Sequence, residues 1–453
     1  MLLSALHAIF WGLLTLSVLV FIHEGGHFLA ARACGVRVTE FFLGLPCRFN
    51  IHYVSKKIGT KFGVTPLLLG GYAAICGMDP TECSYAADVL ELIHKQGRAS
   101  VDEMASTLSI STDDALEACV LLQSWGSISP VYETDDGSKP DTRYYATVYM
   151  SVPRDHSGYT VYDGKKFMRA EATLPGDSWV PQMSKEAFFE FERDKTYIGQ
   201  GFWRRAFMLV AGICVNIVCG LLLLMSVYSF IGVTVGVNSN QIGAVDRTSI
   251  AYDAGLREGD TILQIGDESC SDWSDILSAV NNASGSSTCE IVFRRDGVNK
   301  TTRVSLPKKS KLGISVQTKV VHLKLIDSFK VSVNYVVQTA QGVAQLLMPQ
   351  HTKEILDNST SVVGISIMSS EAAEAGVSTY LTFAALISLS LGFMNLLPIP
   401  PLDGGKLLIE IVQAVSRRKL SLRVQNALTL VGIALFGLLF VYMLCSDILR
   451  FIL

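Results

Sequence analysis

Four stretches of the chain are strongly apolar and free of Asp, Glu, Lys and Arg: Met1 to Ile22, Ala206 to Ile231, Ala375 to Leu402 and Val424 to Ser446. A hydrocarbon core of about 30 Å takes roughly 20 helical residues to cross, so each stretch predicts a membrane-spanning helix. A fifth uncharged stretch, Val331 to Thr352, is interrupted by Asn334, Gln338, Gln341, Gln345 and Gln350. A lipid-facing helix does not carry so many amides, and this stretch predicts an amphipathic or surface-packed helix instead. Between the apolar stretches the periodicity changes. From Ile242 to about Val316 apolar and polar residues alternate as in strands. Ala86 to Gly97, Ser100 to Ile110 and Ser111 to Ser127 predict three short helices, and Val131 to Tyr149 a hairpin turning at Asp135-Asp136-Gly137.

Composition fits that pattern: among 453 residues 49% are hydrophobic and 17% charged, a balance for which the bilayer is the natural sink. A net charge of -3 opposes bulk nucleic-acid binding, and the ten cysteines contain no CxxC pair. The first stretch lacks the basic leader and small-residue cleavage site of a signal peptide, so it is expected to stay as a span. Basic residues cluster after the first span (Arg32, Arg37, Arg48, Lys56, Lys57, Lys61), before the second (Arg204, Arg205) and between the third and fourth (Lys406, Arg417, Arg418, Lys419, Arg423). By the positive-inside rule these three regions are cytoplasmic, and both termini and the loop from about 233 to 374 lie outside.

The chemistry sits at the ends of two spans. His23-Glu24-Gly25-Gly26-His27 is an H-E-x-x-H sequence: histidines at i and i+4 share a helix face and can hold one zinc ion, and Glu24 between them can act as a base. Two imidazoles and a carboxylate at membrane depth are costly unless they bind something. Catalytic zinc usually takes three protein ligands and leaves one position open. The third candidate is Asp403, in Asn395-Leu396-Leu397-Pro398-Ile399-Pro400-Pro401-Leu402-Asp403-Gly404-Gly405, where prolines break the helix and glycines allow close backbone approach. With four spans, the first and third run parallel and bring both motifs to one face. A fifth span at 331 to 352 would separate them.

With H-E-G-G-H in its first span and N-L-L-P-I-P-P-L-D-G-G in its third, the chain resembles the site-2 protease family, specifically the RseP-like branch of regulated intramembrane zinc metalloproteases. The resemblance covers roughly residues 1 to 80 and 200 to 453. It implies His23, His27 and Asp403 as zinc ligands, Glu24 as catalytic base and Asn395 as a residue engaging substrate. Leu68-Leu69-Gly70-Gly71-Tyr72 is similar to the family's G-G-Y segment, which implies that Gly70, Gly71 and Tyr72 belong to membrane-associated β-structure pairing with an unwound substrate. Two motifs depart from the family. Its G-P-x-x-N stands here as Gly212-Ile213-Cys214-Val215-Asn216, without proline, and its S-G-P as Ser361-Val362-Val363-Gly364.

The fold expected is a polytopic α-helical membrane protein with about four spans, membrane-associated β-structure and two further modules. Residues 1–82 hold the first span and β segment, 201–233 the second span, 321–374 an extracytoplasmic amphipathic region, and 375–453 the third and fourth spans. Within 234–320, Ala254 to Ile262 resembles part of a PDZ domain, which in the family faces outside and limits access to the active site; a small β-rich domain without a ligand is the alternative. Cys270 and Cys289 lie in this module, where a disulfide would persist. Residues 83–200 are a cytoplasmic insertion whose element order resembles a winged helix. Its third helix carries Asp113, Asp114 and Glu117 but no Lys or Arg, which opposes DNA and favours a regulatory protein or ligand. Residues 151 to 200 predict only further β-structure and a linker.

The function expected is hydrolysis of peptide bonds in the transmembrane segments of single-span proteins, such as anti-sigma factors or remnant signal peptides, in a bacterial cytoplasmic membrane with the active site toward the cytoplasm. A non-catalytic receptor or scaffold with structural zinc is the alternative, and it leaves Glu24 without a use. A zinc transporter would need polar residues strung across the spans, where the sequence offers one cluster at one depth.

Overall fold

The computed structural model describes residues 2–47, 49–78, 81, 83–132, 144–285, 288–307, 311–348, 350, 360–418 and 420–451. They form two compact units, one made of Met1–Leu224 with Val331–Leu453 and the other of Met225–Lys330.

Four helices are long and apolar enough to cross a membrane, Leu3–Ala33, Phe202–Ile231, Val377–Asn395 and Leu422–Asp447, in the places the hydrophobic pattern predicts. Two boundaries differ. The first helix, α1 (Leu2–Ala33), does not end near Ile22, so the HEGGH segment lies inside it rather than at its end. The residues after His27, Phe28-Leu29-Ala30-Ala31-Arg32-Ala33, contain no breaker and continue the helix. The third stretch stops short of Leu402, because a residue before proline avoids the helical region and Pro398 follows closely.

After α1 come β1 (Val38–Leu43), β2 (Ile51–Val54), β3 (Lys61–Val64) and β4 (Gly71–Ile75), a sheet in the order β2-β3-β1-β4. β1 runs parallel to β3 and antiparallel to β4, pairing Phe42 with Tyr72. Phe41 of β1 packs between Phe21 and Phe28 of α1, with ring centroids 4.5 and 5.0 Å away, and so docks the sheet on the helix turns that carry the histidines. β2 leaves Ile51 and Tyr53 exposed, as a strand in contact with lipid would.

The insertion forms α2 (Ala86–Gln96), β5 (Arg98–Ser100), α3 (Val101–Leu108), α4 (Thr112–Ser124), β6 (Ile128–Val131) and β7 (Val148–Ser151), with the sheet order β5-β7-β6. The three expected helices are present. Ser100 and Ser111 cap the second and third by accepting hydrogen bonds from the N–H groups of Glu103 and Asp114. β6 and β7 pair antiparallel as the expected hairpin requires, while its turn at Asp135-Asp136-Gly137 lies outside the described residues. Residues 151–200 are more than a linker: α5 (Lys185–Arg193) inserts Phe188 into the core formed by Leu90, Ile93, Met104, Leu122, Trp125 and Tyr149.

A buried ionic network ties this insertion to the segment between α1 and β1. The Arg37 guanidinium donates to both Asp163 carboxylate oxygens at 2.8 Å and to Glu192 at 2.7 and 3.1 Å. Arg154 donates two bonds of 2.9 Å to the same Glu192 and one of 2.7 Å to His94 Nε2. Burial alone would push the Glu192 carboxyl up, but Arg154 and Arg37 hold it well below the usual carboxylate range. Burial, and then Arg154, push the His94 imidazole down to about 3.

The chain continues through α6 (Phe202–Ser226) into the second unit. There β8 (Thr261–Ile265) and β9 (Cys289–Arg295) form the centre of a four-stranded antiparallel sheet, with β10 (Val298–Val304) on one edge. The inward-facing Ile262, Ile265, Ile291 and Phe293 make its core with Ile276 of the helix Trp273–Asn282. Cys270 and Cys289 are both free thiols, so the bridge that an extracytoplasmic module would allow is not formed. Each is buried in that core as a small apolar group, with its Sγ 3.8 Å from a local carbonyl, that of Glu268 or Glu290. The amide-rich stretch near 331 to 352 contributes to the helix Leu325–Gln345, which is not among the candidate spans.

Candidate metal centre

His23 and His27 sit one helical turn apart on α1, both nearly inaccessible at 6% and 4% exposure. Asp403 opens the helix Asp403–Ser416, immediately after the proline-rich turn that ends the third span. The turn delivers its carboxylate to the two rings. Asp403 Oδ2 lies 3.0 Å from His23 Nε2 and 3.1 Å from His27 Nε2, and the two Nε2 atoms are 3.2 Å apart.

The other ring nitrogens are held by the second span. His27 Nδ1 lies 2.8 Å from the Met208 carbonyl, which only accepts, so the ring proton sits on Nδ1 and the Nε2 lone pair is free. His23 Nδ1 lies 3.3 Å from the Asn216 amide nitrogen, while Asn216 Oδ1 is buried without a partner among the described residues. Exchanging amide nitrogen and oxygen pairs Oδ1 with a His23 Nδ1–H. Then all three inward atoms are lone-pair donors crowded together, an arrangement that repels itself until a cation occupies it.

Their spacing suits such a cation. Tetrahedral bonds of about 2.0–2.1 Å separate neighbouring ligand atoms by about 3.3 Å, against the 3.0–3.2 Å found here. These are also the residues among those described whose donor atoms gather within 4.8 Å as a possible metal-binding group.

Two glycines make the assembly possible. Gly26, inside the HEGGH segment, has no side chain, and a Cβ there would lie 2.6 Å from the Ala211 carbonyl oxygen and 2.8 Å from Gly212 Cα. Gly212 answers from α6: a methyl group on it would overlap His27 Nε2 and crowd His23 Cε1 at 2.9 Å. In the sequence, Gly212 and Asn216 stand only as counterparts of a family motif, with no role assigned. Their signal was the four-residue spacing that puts both on the face of α6 against the histidines. The Met208 carbonyl had no signal, since a backbone oxygen has no residue type.

Glu24 lies beside this group, within electrostatic reach of both imidazoles and Asp403. Its Oε2 accepts a 3.2 Å hydrogen bond from the Ala73 N–H, on the side of β4 turned away from β1. Gly70 and Gly71 lead into the same strand and pass close to Val20 and Phe21 of α1. Tyr72 is engaged elsewhere, with its hydroxyl donating to Glu40 at 2.8 Å and its ring stacked on Phe42. Asn395 forms no hydrogen bond to the cluster among the described residues; its amide donates to the Leu391 carbonyl one turn back. One further expectation is corrected. A second polar group joins two spans to the helix Val362–Glu374: Thr15 Oγ1 is hydrogen-bonded to Tyr380 Oη at 2.9 Å and to Ser369 Oγ of that helix at 2.8 Å, and these hydroxyls satisfy one another and the Trp11 carbonyl.

Comparison with known proteins agrees with this geometry. The profile of peptidase family M50 matches residues 11–439. The chain belongs to that family. Among its relatives are the zinc metalloprotease RasP of Geobacillus kaustophilus, 26% identical over 99% of this chain and all of the relative, and the regulator of sigma-W protease RasP of Bacillus subtilis, 25% identical over 95% and 96%. The zinc metalloprotease RasP of Bacillus licheniformis is 25% identical over 97% of this chain and 98% of its own. The resemblance to site-2 proteases is therefore borne out across nearly the whole chain, and the protein is a metalloprotease by family.

Proposed function

We propose that this protein is an intramembrane zinc protease that cuts transmembrane segments of single-span membrane proteins. The observation that carries this reading is the meeting of His23 and His27 on α1 with Asp403 at the start of the helix that follows the third span. His23, His27 and Asp403 are its zinc ligands, held in register by Met208 and Asn216. When bound, zinc supplies a Lewis acid and a water whose pKa falls toward about 7. Glu24 is the general base: its carboxylate accepts the proton of the attacking water and returns it to the leaving amine. The apolar walls of α1 and α6 keep bulk water away.

A substrate helix hides its carbonyls in hydrogen bonds and must unwind before attack. The outer edge of β4 supports strand addition for that purpose, because it runs beside Glu24 and its Ala73 N–H points at the base rather than at β1. Gly70 and Gly71 let the strand lie against α1, and Asn395 is assigned to substrate engagement from the family pattern. The cluster faces the cytoplasmic side of a bacterial membrane, as the basic residues flanking the spans imply. The insertion is a winged-helix-like regulatory module that takes a protein or ligand rather than DNA, since the first turn of α4 presents Asp113 and Asp114. The unit Met225–Lys330 acts as a PDZ-like filter.

The test is cleavage of a single-span substrate by the purified chain in liposomes. Wild type cuts within the span, Glu24→Gln cuts about 10²–10⁴-fold more slowly, and Asp403→Ala does not cut. Equal cleavage by wild type and Glu24→Gln rejects the assignment.

A further inference from the structure

A cavity of about 770 Å³ opens where the last residues of α1 meet the first residues of α6 and the loop around Lys165. These residues, Ala33 and Phe202, are also the ends of two candidate spans, so the cavity lies at the membrane boundary. Its wall is basic. Arg32, Lys165, Lys166, Lys195 and Arg204 line it, against Asp163 and Asp194. Asp163 is already committed to Arg37.

The lysines have no anion of their own. Among the described residues neither Lys165, Lys166, Lys195 nor Arg204 forms an ion pair. Instead, Lys166 Nζ and Lys195 Nζ both sit over the Tyr159 ring, 5.6 and 5.4 Å from its centroid. Lys195 also lies over Phe191 at 4.6 Å. Two ammonium groups on one ring repel each other, and cation–π contact offsets this only in part. Burial pushes the Lys195 ammonium down and Lys166 adds to the push, against the pull of Asp163. Arg204 spends one N–H on Gln200 Oε1 at 2.9 Å, and Arg32 one on the Tyr162 carbonyl at 2.6 Å, leaving the rest of each guanidinium for a ligand. Beside the opening, Trp203 is 81% exposed at the start of a span, the position at which tryptophan anchors in the interfacial layer.

We propose that this cavity binds a phosphate-bearing anion, in the first instance the headgroup of an anionic phospholipid. The volume admits a headgroup, the ring of cations matches phosphate charge, and the position at the span ends brings lipid to it. A bound headgroup bridges α1, which carries the histidines, and α6, which orients them.

The full chain purified in detergent is titrated with phosphatidylglycerol, with phosphatidylcholine and with inorganic phosphate, and retention of each lipid is read by native mass spectrometry. Wild type is expected to retain phosphatidylglycerol at least about tenfold more tightly than phosphatidylcholine. Lys165→Gln/Lys166→Gln/Lys195→Gln loses that preference, whereas the control Lys56→Gln/Lys57→Gln/Arg418→Gln, which removes equal charge from exposed positions, keeps it. Stabilisation by inorganic phosphate alone, lost in the cavity variant and without a lipid preference, keeps the anion site and assigns it to a soluble phosphate compound. No preference for either anion in wild type overturns the proposal whatever the folding of the variant, as does an equal loss in the control.

Discussion

His23 and His27 are useful to a metal only because their Nδ1 atoms are spoken for. The Met208 carbonyl and the Asn216 amide fix which nitrogen carries the proton, and the Nε2 lone pairs then face Asp403. Asn216→Ala is expected to weaken zinc binding about 10–100-fold, measured by chelator competition, with the fold retained. Gly212→Val is expected to lower metal content further, because its side chain overlaps the site of the His27 lone pair. Glu24→Gln keeps the metal and lowers cleavage about 10²–10⁴-fold, the span attributed to a general base. The ligands were legible in the sequence because each has a local signature, the i, i+4 spacing of the histidines and the proline–glycine surroundings of Asp403. The groups that orient them were not, since the contact between residues 23–27 and 208–216 exists only after two spans have packed.

At the scale of elements, β4 joins the sheet to the chemistry. Ala73→Pro removes the N–H that Glu24 accepts and one bonding position on the strand edge, so it is expected to depress cleavage of a membrane-embedded substrate while metal content stays unchanged. A variant that cleaves normally would separate β4 from catalysis. In the insertion, the His94 pKa of about 3 lies below the ordinary value of 6.5, so the unfolded chain binds the extra proton first. Stability is therefore lost as pH falls below about 6.5, by about 2 kcal/mol at pH 5. The melting temperature should drop over that window and His94→Gln should flatten the drop. Hydrophobic periodicity located every span and all three insertion helices, yet not their ends, which depend on whether a breaker follows. It missed α5, a short helix in which Phe188, Phe189 and Phe191 alternate with charged residues and only Phe188 is fully buried.

Across the molecule, two kinds of glue hold the site. Within the apolar part, Gly26 and Gly212 let α1 and α6 approach closely enough to share the histidines. At its border, Glu192 joins Arg37 beside α1 to Arg154 in the insertion, all three fully buried. Replacing Glu192 leaves the buried Arg154 without a carboxylate partner and Arg37 with Asp163 alone, and is expected to destabilise the chain by about 3–5 kcal/mol. No sequence pattern foretold this network, because its members lie up to 155 positions apart and each reads locally as a solvated charge. The common dependency is the convergence of three side chains on one ion. Zinc content and X-ray absorption of the purified chain test it most directly, in wild type and in His23→Ala, His27→Ala, Asp403→Ala and Glu24→Gln. One zinc with nitrogen and oxygen ligands near about 2.0 Å is expected in wild type and Glu24→Gln, and almost none in the other three. Full zinc content in Asp403→Ala, or sulfur ligands in wild type, would contradict it.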